Sequence, residues 1–420
     1  MNFSGKKHII VLLAIILIFI AGISFIASQT YKNAMNKSPS NNITYKKILA
    51  DDAIGALNPA NPPTPLQNPP TVLKSVYITG RSAGSIGYGE YLNSLFKDTQ
   101  INAAVIDIKD SFGVVSYKTG AQKAKEYNAY SSEIPDIDSL IKNLHDRGIY
   151  VIGRMVVFQD PILAKNRPDL AVYNISKKQN LAKPVLWQDN LGLSWVDPAS
   201  EEARDYNIDI AKDAVQHGFD EINFDYVRFP SDGQTSNMGF PIWNKKTPRH
   251  LIIKDFFLKV RNSLPDTKIS IDIFGQTTSN TDDMGIGQVI EDSFGYFDYV
   301  CPMLYPSLYA PGFLGYKNPA EHPYEIISYA LNSAVTRQKA YAAGNNKING
   351  DLPNAATRLT KIRPWIQDFN LGAVYGAPMV SQEIKAVNDS MGNDFSGFML
   401  WNPSNIYTKN AIGINDVLSK

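Results

Sequence analysis

Three aspartates, Asp107, Asp225 and Asp272, stand inside short apolar runs, where a charged side chain is costly unless it is paired, hydrogen-bonded or put to use. The runs are Val105-Ile-Asp-Ile-Lys-Asp, Glu221-Ile-Asn-Phe-Asp-Tyr-Val-Arg-Phe-Pro and Ile269-Ser-Ile-Asp-Ile-Phe-Gly. In an extended strand side chains alternate between two faces. Ile222, Phe224 and Tyr226 therefore share one face, and Asn223, Asp225 and Val227 the other. The same split sets Ile269, Ile271 and Ile273 against Ser270 and Asp272, and Ile106 and Ile108 against Asp107 and Lys109. Cleavage of a glycosidic bond needs two carboxyl groups flanking it, one to donate a proton and one to attack the anomeric carbon or activate water. Asp225 and Asp272, on consecutive runs, can supply that pair, with Asp225 as nucleophile or transition-state stabiliser and Asp272 as general acid/base. A neutral Asp272 requires a raised pKa, from burial or from the like charge of Asp225. Arg154 and Arg228 are cations that could keep carboxylates ionised, and structural ion pairing with them is the competing account of any one aspartate. Lys109 and Asp110 end their run and are expected at the rim. Tyr305 and Trp401 fall on the same side as the aspartates and could stack on a sugar, or simply fill a core.

These residues need a scaffold that aims several strands at one point. Strand-like runs are expected at Lys74 to Thr79, Ala103 to Lys109, Tyr150 to Phe158, Glu221 to Phe229, Lys268 to Phe274, Asp298 to Tyr305, Lys361 to Ile366 and Gly397 to Trp401. Helical stretches such as Asp136 to Arg147, Ser200 to His217, Arg249 to Leu264, Pro323 to Arg337 and Ser381 to Met391 lie between them. Such alternation implies a parallel sheet with helical crossovers. About eight repeats fit an α/β fold of the (β/α)8 (TIM) barrel type, whose functional residues gather at the C-terminal ends of the strands. The glycine-rich stretch Gly80-Arg-Ser-Ala-Gly-Ser-Ile-Gly lacks the spacing of a dinucleotide fingerprint, which argues against a doubly wound sheet.

Before the barrel, Lys6 and Lys7 precede an apolar run from Ile9 to Ala27, about the length that crosses a bilayer as a helix. Residues 1–28 are expected to be a signal anchor that leaves the rest of the chain outside the cell membrane. The alternative is secretion after cleavage, but Phe25 sits poorly at the −3 position. Residues 29–71, rich in Asn, Ser, Lys and Pro, read as an extended disordered linker, and residues 72–420 as the barrel domain.

Composition closes off other classes. The 420 residues carry 41 Lys and Arg against 40 Asp and Glu, so no concentrated positive face is available for nucleic acid. One cysteine, Cys301, excludes an internal disulfide framework, and the five histidines have no ligand-like spacing, so neither a metal site nor a cofactor is expected.

The stretch Gly218-Phe-Asp-Glu-Ile-Asn-Phe-Asp-Tyr-Val-Arg-Phe-Pro, with Trp195-Val-Asp-Pro before it and Ser270-Ile-Asp-Ile-Phe-Gly after it, resembles an uncharacterised family of bacterial and archaeal surface proteins named as glycosyl hydrolases by analogy. Cys301-Pro-Met-Leu-Tyr-Pro-Ser-Leu-Tyr, Arg363-Pro-Trp-Ile-Gln-Asp-Phe and Gly397-Phe-Met-Leu-Trp-Asn extend the resemblance to about Tyr407. It implies a glycosidase-like barrel acting on a surface or extracellular polysaccharide. Chitinase-like barrels end their fourth strand on a catalytic Glu, and here Val227 takes that place, which disfavours their chemistry. In amylase-like barrels the nucleophile is an Asp on the fourth strand, the acid a Glu on the fifth, and a third Asp follows the seventh. By that likeness Asp225, Asp272 and Asp368 take the three places, with Asp replacing Glu in the second. A different class also fits the residues: a non-catalytic glycan-binding barrel that acts as a cell-wall scaffold.

Overall fold

A computed structural model describes residues 63–178, 184–344 and 360–413. The expected anchor at 1–28 and the expected linker as far as residue 62 lie outside the described residues. Among the described residues no helix is long and apolar enough to cross a membrane.

Eight parallel strand positions close into a barrel. They are β1 (Leu73–Ile78), β2 (Ala103–Lys109), β3 (Tyr150–Val156), β4 (Glu221–Asp225), β5 (Lys268–Phe274), β6 (Tyr299–Met303), β7 (Lys361–Ile362 and Trp365–Gln367) and β8 (Gly397–Trp401). Each pairs with the next, and β8 closes onto β1 through Leu73 opposite Gly397 and Val76 opposite Leu400. All eight expected strands are present. β7 is broken at Arg363-Pro364, where proline removes a ladder donor: Lys361–Ile362 pairs with β6, and Trp365 pairs with both Met303 and Met399.

A helix follows each strand: α1 (Ile86–Asp98), α2 (Ile137–His145), α3 (Glu201–Gln216), α4 (Arg249–Ser263), the single turn α5 (Ile290–Ser293), α6 (Pro323–Ala342), α7 (Ala377–Met391) and the short α8 (Lys409–Ile412). α3 starts where Ser200 accepts the Ala203 N–H and Glu201 and Glu202 face the positive end of the helix dipole. The amphipathic α2 buries Ile137, Ile141 and Leu144, the i, i+4, i+7 stripe that its sequence spells.

Alternation along the strands creates two apolar layers. Val76, Ile78, Ala104, Ile106, Ile222, Phe224, Ile269 and Ile271 face outward under the helices. Leu73, Tyr77, Val105, Ile152, Cys301, Tyr305, Trp365 and Met399 fill the interior. Low in the interior, at the start of β4, Glu221 is ion-paired with Arg363, both without exposed side-chain surface, and Ser270 donates to the same carboxylate at 2.5 Å.

The last part of the expected linker belongs to the domain. Leu66 packs against the interior cluster, its backbone N–H donates to Asp220 at 2.6 Å, and Pro63 lies so close to Gly218 that an added Cβ would meet its carbonyl oxygen at 2.3 Å. Pro63 and Leu66 thus lie against the N-terminal end of the barrel. Asp220, just before β4, supplies the polar contact that a proline-rich segment cannot generate for itself.

Candidate functional site

The C-terminal ends of β2 to β5 bring four charged side chains into contact. Arg154 on β3 stands at the centre. It donates through Nη1 to Asp107 Oδ1 on β2 at 2.5 Å, and through Nη2 and Nε to Asp225 Oδ2 on β4 at 2.5 and 3.2 Å. Its Nε also lies 3.9 Å from Asp272 Oδ2 on β5. All four residues are at least nine-tenths buried. The remaining oxygen of Asp107 accepts the Tyr77 hydroxyl from β1 at 2.5 Å. Burial pushes the Asp107 carboxyl up, against the pull of Arg154.

Asp225 and Asp272 differ in surroundings. Asp225 accepts three N–H bonds, two from Arg154 on Oδ2 and one at 2.6 Å from the Tyr226 backbone on Oδ1. Asp272 directs Oδ1 at two fixed donors, Asn223 Nδ2 at 2.9 Å and Trp365 Nε1 at 2.8 Å, while its buried Oδ2 has no hydrogen-bond partner. Burial, and next the charge of Asp225, push the Asp272 carboxyl well above the usual carboxylate range. An amide and an indole N–H occupy Oδ1, which leaves Oδ2 as the oxygen free to hold a proton. Two carboxyls in unlike surroundings therefore flank a single guanidinium.

Local backbone makes this arrangement. β4 ends at Asp225 because Tyr226 adopts φ +53°, a left-handed conformation that is strained for a bulky residue. The reversal breaks the alternation beyond it, while the Tyr226 N–H donates to the Asp225 carboxylate. Val227, expected on the axis side, joins the outer apolar layer instead. Arg228, of the wrong parity for the interior in a continuous strand, is carried to the cleft side, with Phe274 at the end of β5 under its guanidinium at 4.8 Å.

Tyr305 and Trp401 meet in an aromatic wall beside the carboxyls. Trp401 stacks on Tyr77 at 5.6 Å between ring centroids, and both Tyr305 and Trp401 contact Phe369. Burial and the charges of Asp272 and Asp225 push the Tyr305 hydroxyl up, so it remains a neutral donor.

Two expected site residues lie elsewhere. Lys109 does not reach the rim: it is fully buried, ion-paired with Asp160 at 2.6 Å and bonded to Asn207 of α3 at 3.0 Å. The cause is a register shift between Asp107 and Lys109, which sets Asp107 opposite Arg154 but Lys109 opposite Met155, on the helix side. Asp368 accepts the Thr408 backbone N–H at 2.8 Å and the Thr408 hydroxyl at 2.6 Å, tying down the segment before α8. It follows the inward Gln367 on β7 and so points outward. Arg228 makes no ion pair with Asp225, and its guanidinium packs among aromatic rings. Conversely, Tyr77, Asn223 and Trp365 touch the carboxyls without having been singled out. Asn223 was legible from its parity with Asp225, whereas the Trp365 contact crosses the barrel from β7 to β5.

A family described as “Putative glycosyl hydrolase domain” matches residues 75–407. No curated protein matches the sequence. Among solved structures, the glycoside hydrolase domain of PgaB (BpsB) from Bordetella bronchiseptica is 12% identical, covers 82% of this chain and 99% of its own, and superposes with a TM-score of 0.50, a likeness of fold. A hypothetical protein from Ruminiclostridium thermocellum ATCC 27405 is 36% identical over 50% of this chain and 98% of its own, with a TM-score of 0.42. The catalytic domain of a hyperthermophilic chitinase from Pyrococcus furiosus is 15% identical over 86% and 93% of the two chains, with a TM-score of 0.43.

Proposed function

The chain belongs to that glycosyl hydrolase family, and from this premise we propose that it cleaves O-glycosidic bonds of a surface or extracellular polysaccharide, using Asp225 and Asp272. The observation that carries the proposal is the contrast between the two carboxyls. Both lie beside Arg154, yet one accepts three N–H bonds while the other is pushed up by burial and keeps one oxygen unpartnered. Asp272 gives its proton to the departing sugar oxygen as the C–O bond breaks, once substrate binding has opened the enclosed side of its carboxyl. Asp225 attacks the anomeric carbon or stabilises the positive charge that develops there. Arg154 and Asp107 fix the position of Asp225, Asn223 and Trp365 fix that of Asp272, and Tyr305, Trp401 and Tyr77 offer the stacking wall for a sugar ring.

The apolar run Ile9 to Ala27, flanked by Lys6 and Lys7, supports a membrane tether that presents the barrel outside the cell. Alkaline extraction of membranes and protease treatment of intact cells test this placement, and release of the full-length chain into the soluble fraction would overturn it.

Activity is tested by incubating the protein with a panel of glycans and following new reducing ends, with Asp225→Asn as control. Release by the parent and not by the variant supports hydrolysis. The scaffold reading draws on one specific observation, the double ion pair that Arg154 makes with Asp107 and Asp225. Glycan binding without turnover across the panel, unchanged in Asp225→Asn, would establish it instead.

A further inference from the structure

Arg228 is about 95% buried, with 5% of its surface exposed, yet it makes no ion pair among the described residues. Its guanidinium lies against three rings, Trp195 at 4.8 Å, Tyr226 at 4.9 Å and Phe274 at 4.8 Å to the centroids. Only Nη1 is hydrogen-bonded, donating to the Phe229 carbonyl and the Ser231 hydroxyl, each at 3.1 Å. Nε and Nη2 have no acceptor among the described residues. Neither is a sealed, unsatisfied atom of the interior, since the fully enclosed polar atoms left without partners do not include them. They therefore keep some contact with solvent, and the guanidinium packs on Tyr226 and Phe274, which follow Asp225 by one residue and Asp272 by two. Burial pushes the Arg228 guanidinium below its ordinary value, against the pull of Tyr226, Asp232, Asp225 and Asp189, none of which forms an ion pair with it. Asp189 is engaged by Gln159 at 2.7 Å, Trp195 at 2.9 Å and the Leu191 and Leu193 amides, each at 2.9 Å.

A cation taken out of water without a touching counter-charge costs several kcal/mol, and an arriving anion relieves that cost. The free Nε and Nη2 edge of a guanidinium presents two parallel N–H groups, the spacing that two oxygens of a carboxylate or phosphate accept. The rings hold that fork rigid, so little side-chain entropy is lost on binding.

We propose that Arg228 is the recognition group of a subsite for an anionic substituent, so that the favoured glycan is acidic, bearing a uronic carboxylate or a phosphate ester on the ring next to the scissile bond. The proposal rests on the hydrolase reading only in calling the bound molecule a substrate. The subsite is assigned from Arg228 and its cage.

Isothermal titration of the full-length protein in detergent, at fixed ionic strength, with D-glucuronate, D-glucose 6-phosphate and D-glucose tests it. The parent protein is expected to bind one or both anions at least about tenfold more tightly than glucose. Preference for glucuronate identifies a uronate site, and preference for glucose 6-phosphate a phosphate site. Arg228→Gln is expected to abolish the preference while leaving the weak glucose affinity in place. Arg228→Lys keeps the charge but not the fork, and is expected to lose most of the preference, so it decides the matter if Arg228→Gln does not fold. No preference for either anion in the parent overturns the proposal, as does a preference that survives unchanged in a folded Arg228→Gln or in Arg228→Lys. The hydrolase reading fails separately: an Arg228-dependent anion preference in a protein that releases no reducing ends keeps the subsite and discards the cleavage.

Discussion

Asp225 sits among ideal partners, and that changes what its removal should do. A carboxylate retained only for chemistry is often poorly paired, whereas this one takes three N–H bonds and shares Arg154 with Asp107. Asp225→Asn is expected to abolish turnover and also to lower the denaturation midpoint by an amount worth about 1–3 kcal/mol. That is less than for an isolated buried pair, because Arg154 keeps Asp107. Urea titration beside the activity assay checks both parts; lost activity with no loss of stability would mean that the Arg154 contact contributes nothing net. Asp272→Asn should behave differently. It should retain activity on aryl glycosides, whose leaving oxygen needs no proton, and fail on natural linkages. Its stability should also depend on pH in a defined direction. The folded protein holds the Asp272 proton more tightly than the unfolded chain, so the parent loses stability as pH rises above the ordinary carboxylate range, near 4, toward the raised folded value. The amide of the Asp272→Asn variant cannot ionise and escapes that loss. Melting curves should converge at about pH 4 and separate in favour of the variant toward alkaline pH; parallel curves would show that Asp272 is not raised.

At the scale of the element, small irregularities decide which charged groups reach the cleft. The register shift after Asp107 turns Lys109 outward, into a pair with Asp160 sealed between β2, β3 and α3. Lys109→Met leaves Asp160 buried without its cation, although its side chain still accepts the Leu163 N–H at the start of the helical turn Pro161–Asn166. The expected cost is about 3–5 kcal/mol, with turnover per folded molecule unchanged. Asp368→Ala should cost about 1–2 kcal/mol through the lost Thr408 bonds, again without changing turnover. Thermal melts with active-site-normalised rates check both, and a specific loss of rate in either variant would return that residue to the chemistry. The left-handed Tyr226 acts in the opposite sense, bringing Arg228 onto the cleft side where strand alternation would have buried it under the helices.

The whole molecule depends on closing its first and last strands and on plugging one end. Gly397 opens β8 at φ +109°, and an added Cβ would lie 1.8 Å from the Leu73 carbonyl oxygen, so no other residue fits at that seam without moving β1. At the N-terminal end, Leu66 packs on the interior cluster, held by the hydrogen bond its backbone N–H donates to Asp220. A chain beginning at Pro63 should unfold at the same denaturant midpoint as the full protein in detergent. One beginning at Thr71 should lose about 2 kcal/mol, from the half-buried leucine and the lost bond to a charged acceptor. Equal midpoints for the two truncations would mean that residues 63–70 are ornamental.

The period-two alternation of β2, β4 and β5 announced the barrel and put Asp107, Asp225 and Asp272 on its axis, because side-chain direction in an extended strand is a local property that one sequence carries by itself. The eight strands, the helices between them and the family's motifs were legible for the same reason: each depends on neighbours a few residues apart. The fates of Lys109, Val227 and Arg228 were not, since one register shift and one left-handed residue reverse parity, and neither leaves a mark in residue type. Nor could the sequence show that Trp365 and Asn223 converge on one oxygen of Asp272, or that Arg154 joins Asp107 to Asp225. Those contacts span tens of residues or more along the chain, and only closure of the sheet brings them together. The upward push on the Asp272 carboxyl follows from that closure, because burial and the approach of a second carboxyl group are created by tertiary packing alone.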